Sequence, residues 1–165
     1  MERIKTGFTY TVETIKEGVV VDTFVVENLM PYEGIDYIID SALRAGTQIP
    51  TFYVGLYEGA YTPRPEDLMS TFVGLATECE SYSEAARPVL TLAQPANGET
   101  ENSANKAVFT GSTNGKIVAG GFISSSPVKG GATGVLVSAV RFPSPRPLDA
   151  GTILRVTCGF SIIST

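Results

Sequence analysis

The chain has 165 residues, of which 43% are hydrophobic and 18% charged, with a net charge of −5. This is enough for one domain with a real core and too apolar for disorder, and the acidic balance with no basic cluster sets it against nucleic acid and anionic membranes. It contains no histidine, which removes Ser-His-Asp and Cys-His catalysis and most catalytic zinc sites, so the composition points to a protein that works by binding, as a structural part.

The first segment alternates, with Phe8, Tyr10 and Val12 on one face and Thr9, Thr11 and Glu13 on the other. Lys16-Glu17-Gly18 reads as a turn into a second β-rich run, Val19 to Val26. The resulting hairpin, residues 1–26, either closes its own sheet or reaches out as an arm. In residues 31–44, Ile35, Ile38, Ile39, Ala42 and Leu43 form the stripe of an amphipathic helix, with Pro31 suited to its first turn and Gly46 to its C-terminal cap. Phe52 to Tyr57 is a compact apolar strand. Thr62-Pro63-Arg64-Pro65 is a stiff extended loop, and Glu66 to Phe72 suits one or two helical turns.

From about residue 84 the pattern is strand and turn alone. Strands are expected at Ala85 to Leu92, Asn105 to Thr110, Lys116 to Ser124, Gly134 to Phe142 and Thr152 to Ile163. Asn114-Gly115 carries a two-residue hairpin signal, Pro143 to Gly151 reads as a loop, and Gly159 is placed at a bulge. The expected fold is mainly β, an antiparallel β-sandwich or jelly-roll-like domain of about eight strands with one main helix, spanning 1–165 as a single domain.

Cys79 and Cys158 are far apart and neither sits in a CxxC pair, so they are expected to be reduced, partly buried thiols. The start, MERIKTGFTY, has no apolar stretch behind its basic residues, and no apolar run approaches ~18 residues. Neither a signal peptide nor a membrane span is expected, and synthesis and folding are placed in the cytoplasm.

Several groups imitate chemical motifs. Gly111 to Lys116 has one residue too few between its glycines for a phosphate loop, and Ile117 stands where a Mg²⁺-binding hydroxyl is required. Ser126-Pro-Val-Lys129 has the letters of a Ser-x-x-Lys site, but Pro127 and Gly130-Gly131 place it in a loop. Glu78 and Glu80 flank Cys79, and they and the pair Asp36 and Asp40 are read as solvated surface acids; with Glu84 the first two are the clustered carboxylates of the chain. The seven Tyr and eight Phe are read as core, since a sugar platform favours Trp and the chain has none. No catalytic residue, metal or cofactor is expected.

The order of segments from about Glu27 to Ile163 resembles the head-decoration, or cement, proteins of tailed phages. The resemblance is carried by Asn28-Leu29, Gly34 and Tyr37-Ile38-Ile39-Asp40, by Phe52-Tyr53-Val54-Gly55-Leu56, and by Asp67-Leu68-Met69, Glu78, Tyr82-Ser83 and Arg87-Pro88. Asn102-Ser103-Ala104, Phe109, Gly120-Gly121-Phe122, Gly130 to Gly134 and Leu154 to Thr157 continue it in order. Phe52 stands where that family has Trp, and the N-terminal hairpin is not covered.

The resemblance implies a structural virion protein on the capsid exterior that clamps neighbouring subunits of the major capsid protein, itself a homo-oligomer, dimer or trimer. The expected capsid or subunit interface is the uncovered hairpin through Phe8, Tyr10 and Val12, together with the loop at Pro63, Arg64 and Pro65. Two other functions fit a β-sandwich. A receptor- or glycan-binding module of a tail fibre or spike needs exposed aromatics on loops. A hydrolase using Glu78, Glu80 and Glu84 needs a carboxylate-lined groove.

Overall fold

The computed structural model describes residues 4–164; Met1–Arg3, where the expected hairpin begins, and Thr165 lie outside the described residues. The elements in chain order are β1 (Ile4–Lys16), β2 (Val19–Glu27), α1 (Tyr32–Leu43), β3 (Phe52–Tyr57), α2 (Met69–Ala76), β4 (Val89–Leu90), β5 (Glu99–Glu101), β6 (Ala107–Thr110), β7 (Ile117–Ser124), β8 (Leu136–Pro147) and β9 (Ile153–Ser164).

These strands build an antiparallel β-sandwich. The outer sheet runs β2-β1-β9, with β5 and β6 one after the other on the far edge of β9; the inner sheet runs β4-β3-β7-β8. Alternation along β1 turns Phe8, Tyr10 and Val12 inward. They meet Leu154, Val156 and Cys158 of β9, Val54 and Leu56 of β3, Ile123 of β7, and Val137, Val140 and Phe142 of β8 in the main core. On its other face the inner sheet carries a second core, where Tyr57, Phe122, Leu136 and Ala139 pack against Met69, Phe72 and Ala76 of α2. β7 is therefore buried on both faces from Val118 to Ser124, which is why its sequence is a continuous apolar run.

The N-terminal hairpin is part of the body. β1 pairs with β2 on one side and with β9 on the other, and the β1–β9 register is unbroken from Ile4↔Ser164 to Ile15↔Ile153. No bulge occurs at Gly159, because β1 and β5 both keep step with it. The slip lies on the other side of β1, between Thr14 and Ile15, where it meets β2. A buried polar group locks the strand in place: the Tyr10 hydroxyl is 2.8 Å from Ser138 Oγ, which also accepts Asn28 Nδ2 at 2.6 Å, while Asn28 Oδ1 accepts the Phe8 amide at 2.7 Å. Burial raises the Tyr10 phenol well above its ordinary pKa, so the ring is held neutral.

Other expectations are corrected locally. β6 and β7 lie in different sheets, so Asn114-Gly115 is not a hairpin turn. Asp149 Oδ1 accepts the Gly115 amide at 2.7 Å and Asn114 Oδ1 accepts the Ala150 amide at 3.1 Å, tying the crossing to the turn before β9. The expected strand at 85–92 shrinks to β4, because Arg87 is drawn into the interior. β8 continues through Pro143, Pro145 and Pro147, which were read as loop. In the helix at 32–43 it is Ala45, at φ +58°, that turns left-handed after the last turn. Gly46 serves by close approach, since a Cβ there would lie 2.1 Å from Asp40 Oδ2. The second helix begins at Met69, later than expected, because Asp67 accepts the Tyr61 hydroxyl (2.6 Å) and the Arg64 amide (2.8 Å) and folds 61–67 into a turn.

β9 leaves a gap between β5 and β6, which a side chain fills. Asn102 Oδ1 accepts the Cys158 amide at 2.7 Å and Asn102 Nδ2 donates to Asn105 O at 3.2 Å, so an amide side chain replaces a missing rung of the ladder. Cys79 and Cys158 are free and fully buried; burial pushes the Cys79 thiol up to about 11.

Two outcomes follow. A chain lacking residues 1–16 is expected to lose its cooperative thermal transition and near-UV signal, since it lacks a central strand; a folded truncation would show β1 to be dispensable. On the solvent face, Glu13 is bonded by Lys106 Nζ at 2.9 Å and lies 3.3 Å from Arg155 Nε. The Lys106 hydrogen bond holds its carboxyl below the ordinary value. Its stabilisation is therefore present above the unfolded carboxylate pKa of about 4 and is lost as pH falls through the lower folded value. Thermal melts of Glu13→Gln should show a lower Tm than the parent at neutral pH and convergence with it in strong acid.

Candidate functional site

The six expected interface residues separate into two groups. Phe8, Tyr10 and Val12 are buried in the main core, so their side chains are not available to a partner; alternation had identified an apolar face but not that β9 and the inner sheet cover it. Pro63 is buried, whereas Arg64 and Pro65 are exposed. The Arg64 guanidinium lies 6.0 Å from the Tyr61 ring, and the Pro65 carbonyl accepts the Tyr32 amide at 2.8 Å, so this loop chiefly seats the start of α1.

The clustered carboxylates have three separate structural roles. Glu78 is buried, not solvated, and forms a two-point ion pair with the fully buried Arg87, Nε to Oε1 at 2.7 Å and Nη2 to Oε2 at 2.6 Å. Glu78 Oε2 also accepts the Gly130 amide at 2.7 Å. Arg87 Nη1 donates to Ser124 Oγ (3.2 Å) and Ser126 O (3.0 Å), and Nη2 to Gly131 O (2.9 Å). All five guanidinium donors are thereby used, and the cation stacks 5.1 Å from the Phe122 ring. Glu84 binds the Thr110 amide and hydroxyl, and Glu80 is exposed. Glu78 has no oxygen free for acid, base or nucleophile work. Lys129 is equally committed, donating to Tyr82 O at 2.7 Å above the Tyr82 ring, so Ser126 and Lys129 brace a loop.

The surface that stands out is on α1. The helix is fixed by its first turn. Pro31 and Gly34 are buried, and a Cβ on Gly34 would lie 2.6 Å from Val137 O, so helix and strand backbones touch. Glu33 Oε2 accepts the amides of Leu136 (2.7 Å) and Met69 (2.9 Å), joining α1 to β8 and to the start of α2. Tyr37 packs on Phe52 and its hydroxyl accepts the Ile49 amide. These contacts rotate the apolar stripe away from both cores. Leu43 is 81% exposed and Ile39 46%, and Ile35 and Ile38 are only partly covered.

The stripe forms one wall of a groove of about 510 Å³, completed by Met30 and by Ile162 and Thr6 where the β1–β9 ribbon runs past the inner sheet. Sequence periodicity located this stripe but could not show that glycine and a carboxylate, not the isoleucines, dock the helix. Met30 carries no sequence signal of its own, and Ile162 only that of an apolar residue in the last strand. Asp36 and Asp40 are exposed beside the stripe, as read.

Among the described residues no three His, Cys, Asp or Glu side chains gather as a metal would require, and no helix is long and apolar enough to cross a membrane. Tyr32 is the one aromatic ring among them left largely exposed. No family model matches the chain, and no curated protein matches it.

The Glu78–Arg87 pair generates a stability expectation. Glu78→Leu or Arg87→Met alone leaves a buried charged partner unsatisfied and should cost about 3–5 kcal/mol in urea unfolding, whereas the two combined should cost much less than the two single losses added. Additive losses would mean that the two groups act independently.

Proposed function

We propose that this protein is a structural virion component that binds the exterior of a phage capsid and cements neighbouring major capsid protein subunits, with the apolar face of α1 as the contact. The observation that carries the reading is that stripe: Ile39 and Leu43 exposed beside a groove lined by Met30, Ile35, Ile38 and Ile162, on a body whose internal polar groups are largely paired. An apolar patch held rigidly on a folded scaffold suits docking against protein. The ordered likeness of the chain from about Glu27 to Ile163 to head-decoration proteins supports the same partner. A repeated shell suits a modest contact, since many copies stabilise it together. The glycan-binding alternative finds less support, with its expected exposed rings reduced to Tyr32.

Burying a Leu or Ile side chain at an interface contributes about 1.5–3 kcal/mol, so each of Ile39→Asp and Leu43→Asp should weaken co-sedimentation with shells of the cognate coat protein at least tenfold. Both positions are solvent-facing, and the variants should melt with the parent. Full binding by both variants would remove α1 from the contact. Failure of the parent chain to join shells at any concentration would sink the capsid reading.

A further inference from the structure

We propose that β2 pairs antiparallel with the β2 of a second copy across a two-fold axis at Thr23, making the protein a dimer whose outer sheets are continuous. This concerns self-association and is independent of what the assembled protein binds.

The first argument is the contrast among sheet edges. β4, β5 and β6 have two, three and four residues, too short to template another chain. β8 is long, but Pro143, Pro145 and Pro147 remove donors along it and Leu29 already pairs with Ala139. These are the usual guards against edge pairing. β2 has nine residues, no proline and a partner on one side only; its register with β1 slips at Val21 and is regular from Asp22 to Glu27. Its exposed face carries valines instead of lysines: Val19 is 62% exposed, Val21 55% and Val25 60%.

The second argument is the phase of the free backbone groups. The Asn28 amide donates to the Phe8 carbonyl at 3.0 Å, and the register continues as Tyr10↔Val26 and Val12↔Phe24. From Asp22 to Asn28, on the regular side of the slip at Val21, even-numbered residues therefore point their amides and carbonyls at β1, and Thr23 and Val25 point theirs outward. A two-fold pairing centred on Thr23 requires that phase, because Thr23 must exchange both bonds with its own copy.

The third argument is self-complementarity. About Thr23 the residues on the solvent face read Val21, Thr23, Val25, symmetric about the axis, while on the inward face Asp22 would lie opposite Phe24. Val21 of one copy faces Val25 of the other, Thr23 faces Thr23, and no like charges are opposed. Asp22 is turned to the opposite side, neutralised by Arg146, whose guanidinium lies 4.6 Å from the Phe24 ring. The edge is thus neutral where a second copy would lie.

Sedimentation velocity on the full-length chain across micromolar to millimolar concentration should show a monomer–dimer equilibrium. Thr23→Pro removes the outward donor at the axis, and Val25→Lys places a charge in the apolar seam; each should weaken dimerisation at least tenfold while leaving the Tm of the dilute monomer unchanged. Combining Val21→Lys with Val25→Glu sets the introduced ammonium of one copy against the introduced carboxylate of the other, and should restore dimers that Val21→Lys alone loses. Because both native thiols are buried, Thr23→Cys introduces the one accessible thiol and should cross-link to its own copy under mild oxidation, whereas Val25→Cys should not. A monomer at every concentration, a dimer indifferent to Thr23→Pro, or cross-linking of the Val25→Cys variant in place of Thr23→Cys would each overturn the proposal. So would a monomer whose Thr23→Pro variant fails only in capsid binding, since a coat-protein strand would then be the occupant.

Discussion

Between Val118 and Ser124 every side chain of β7 is buried, because the outer sheet covers one face of the strand and α2 covers the other. A strand enclosed on both sides tolerates a polar atom only where a partner is built in. Ser124 on β7 and Ser138 on the neighbouring β8 each have one. Ser138 binds Tyr10 and Asn28, and Ser124 receives Arg87. Large rings need matching absences of side chain: Phe122 lies over Gly55 and Tyr57 over Gly120, where a Cβ would come within 2.2 Å and 2.1 Å of the ring atoms. Arg87, the one buried cation among the described residues, is acceptable on the same terms, since every donor it has is used. In meeting them it gathers the segment from Glu78 to Arg87 and the loop from Ser124 to Gly131 onto one end of the inner sheet.

The same enclosure determines what is left outside. α2 contributes Met69, Phe72 and Ala76 and fills most of the second core, so α1 has to supply little apolar area. It is held by a glycine contact, a proline and a carboxylate that binds two backbone amides. An amphipathic helix whose anchoring is backbone-level and polar keeps its apolar side free. On the far side of the molecule the outer sheet shows Thr9, Thr11 and Glu13 to solvent, with Lys106 and Arg155 beside Glu13. That face is well solvated; elsewhere large apolar side chains are exposed singly, as at Leu75, Val89, Ile117 and Val128, whereas at the α1 groove and along β2 they lie side by side.

Much of the architecture was legible where a period or a turn residue acts locally. The alternation of Phe8, Tyr10 and Val12, the strand at 52–57 and the helix at 32–43 are all written in spacing. What spacing cannot express is which surface lies opposite. The same three residues were placed at an interface because nothing near them in sequence names β9, about 145 positions away, as their cover. Asn114-Gly115 is a true turn, but the bonds that fix its direction come from Asp149 and Asn114's contact with Ala150, so the strands it joins part into different sheets. Glu78 looked like a surface acid because its counter-ion, Arg87, sits nine residues on, at no regular helical or strand interval. The candidate docking face suffered the opposite error: the isoleucine stripe was visible, yet its direction depends on Gly34 and Glu33 meeting β8.

The pairing of β1 with β9 has a consequence for how the molecule comes into being. On the ribosome β1 and β2 emerge before β9, yet β1 cannot complete its ladder until β9, well over a hundred residues later, has been made. Until then the early hairpin has one unsatisfied flank on each strand and its inward aromatics uncovered. A topology dominated by such distant contacts folds slowly, and the delay exposes strand edges to neighbouring nascent chains. The closing contact also brings Ile4 and Ser164 side by side, so the finished domain is nearly a ring in connectivity, and a permuted chain joining these ends and opened at an exposed loop would retain every strand pairing while shortening the wait for β1.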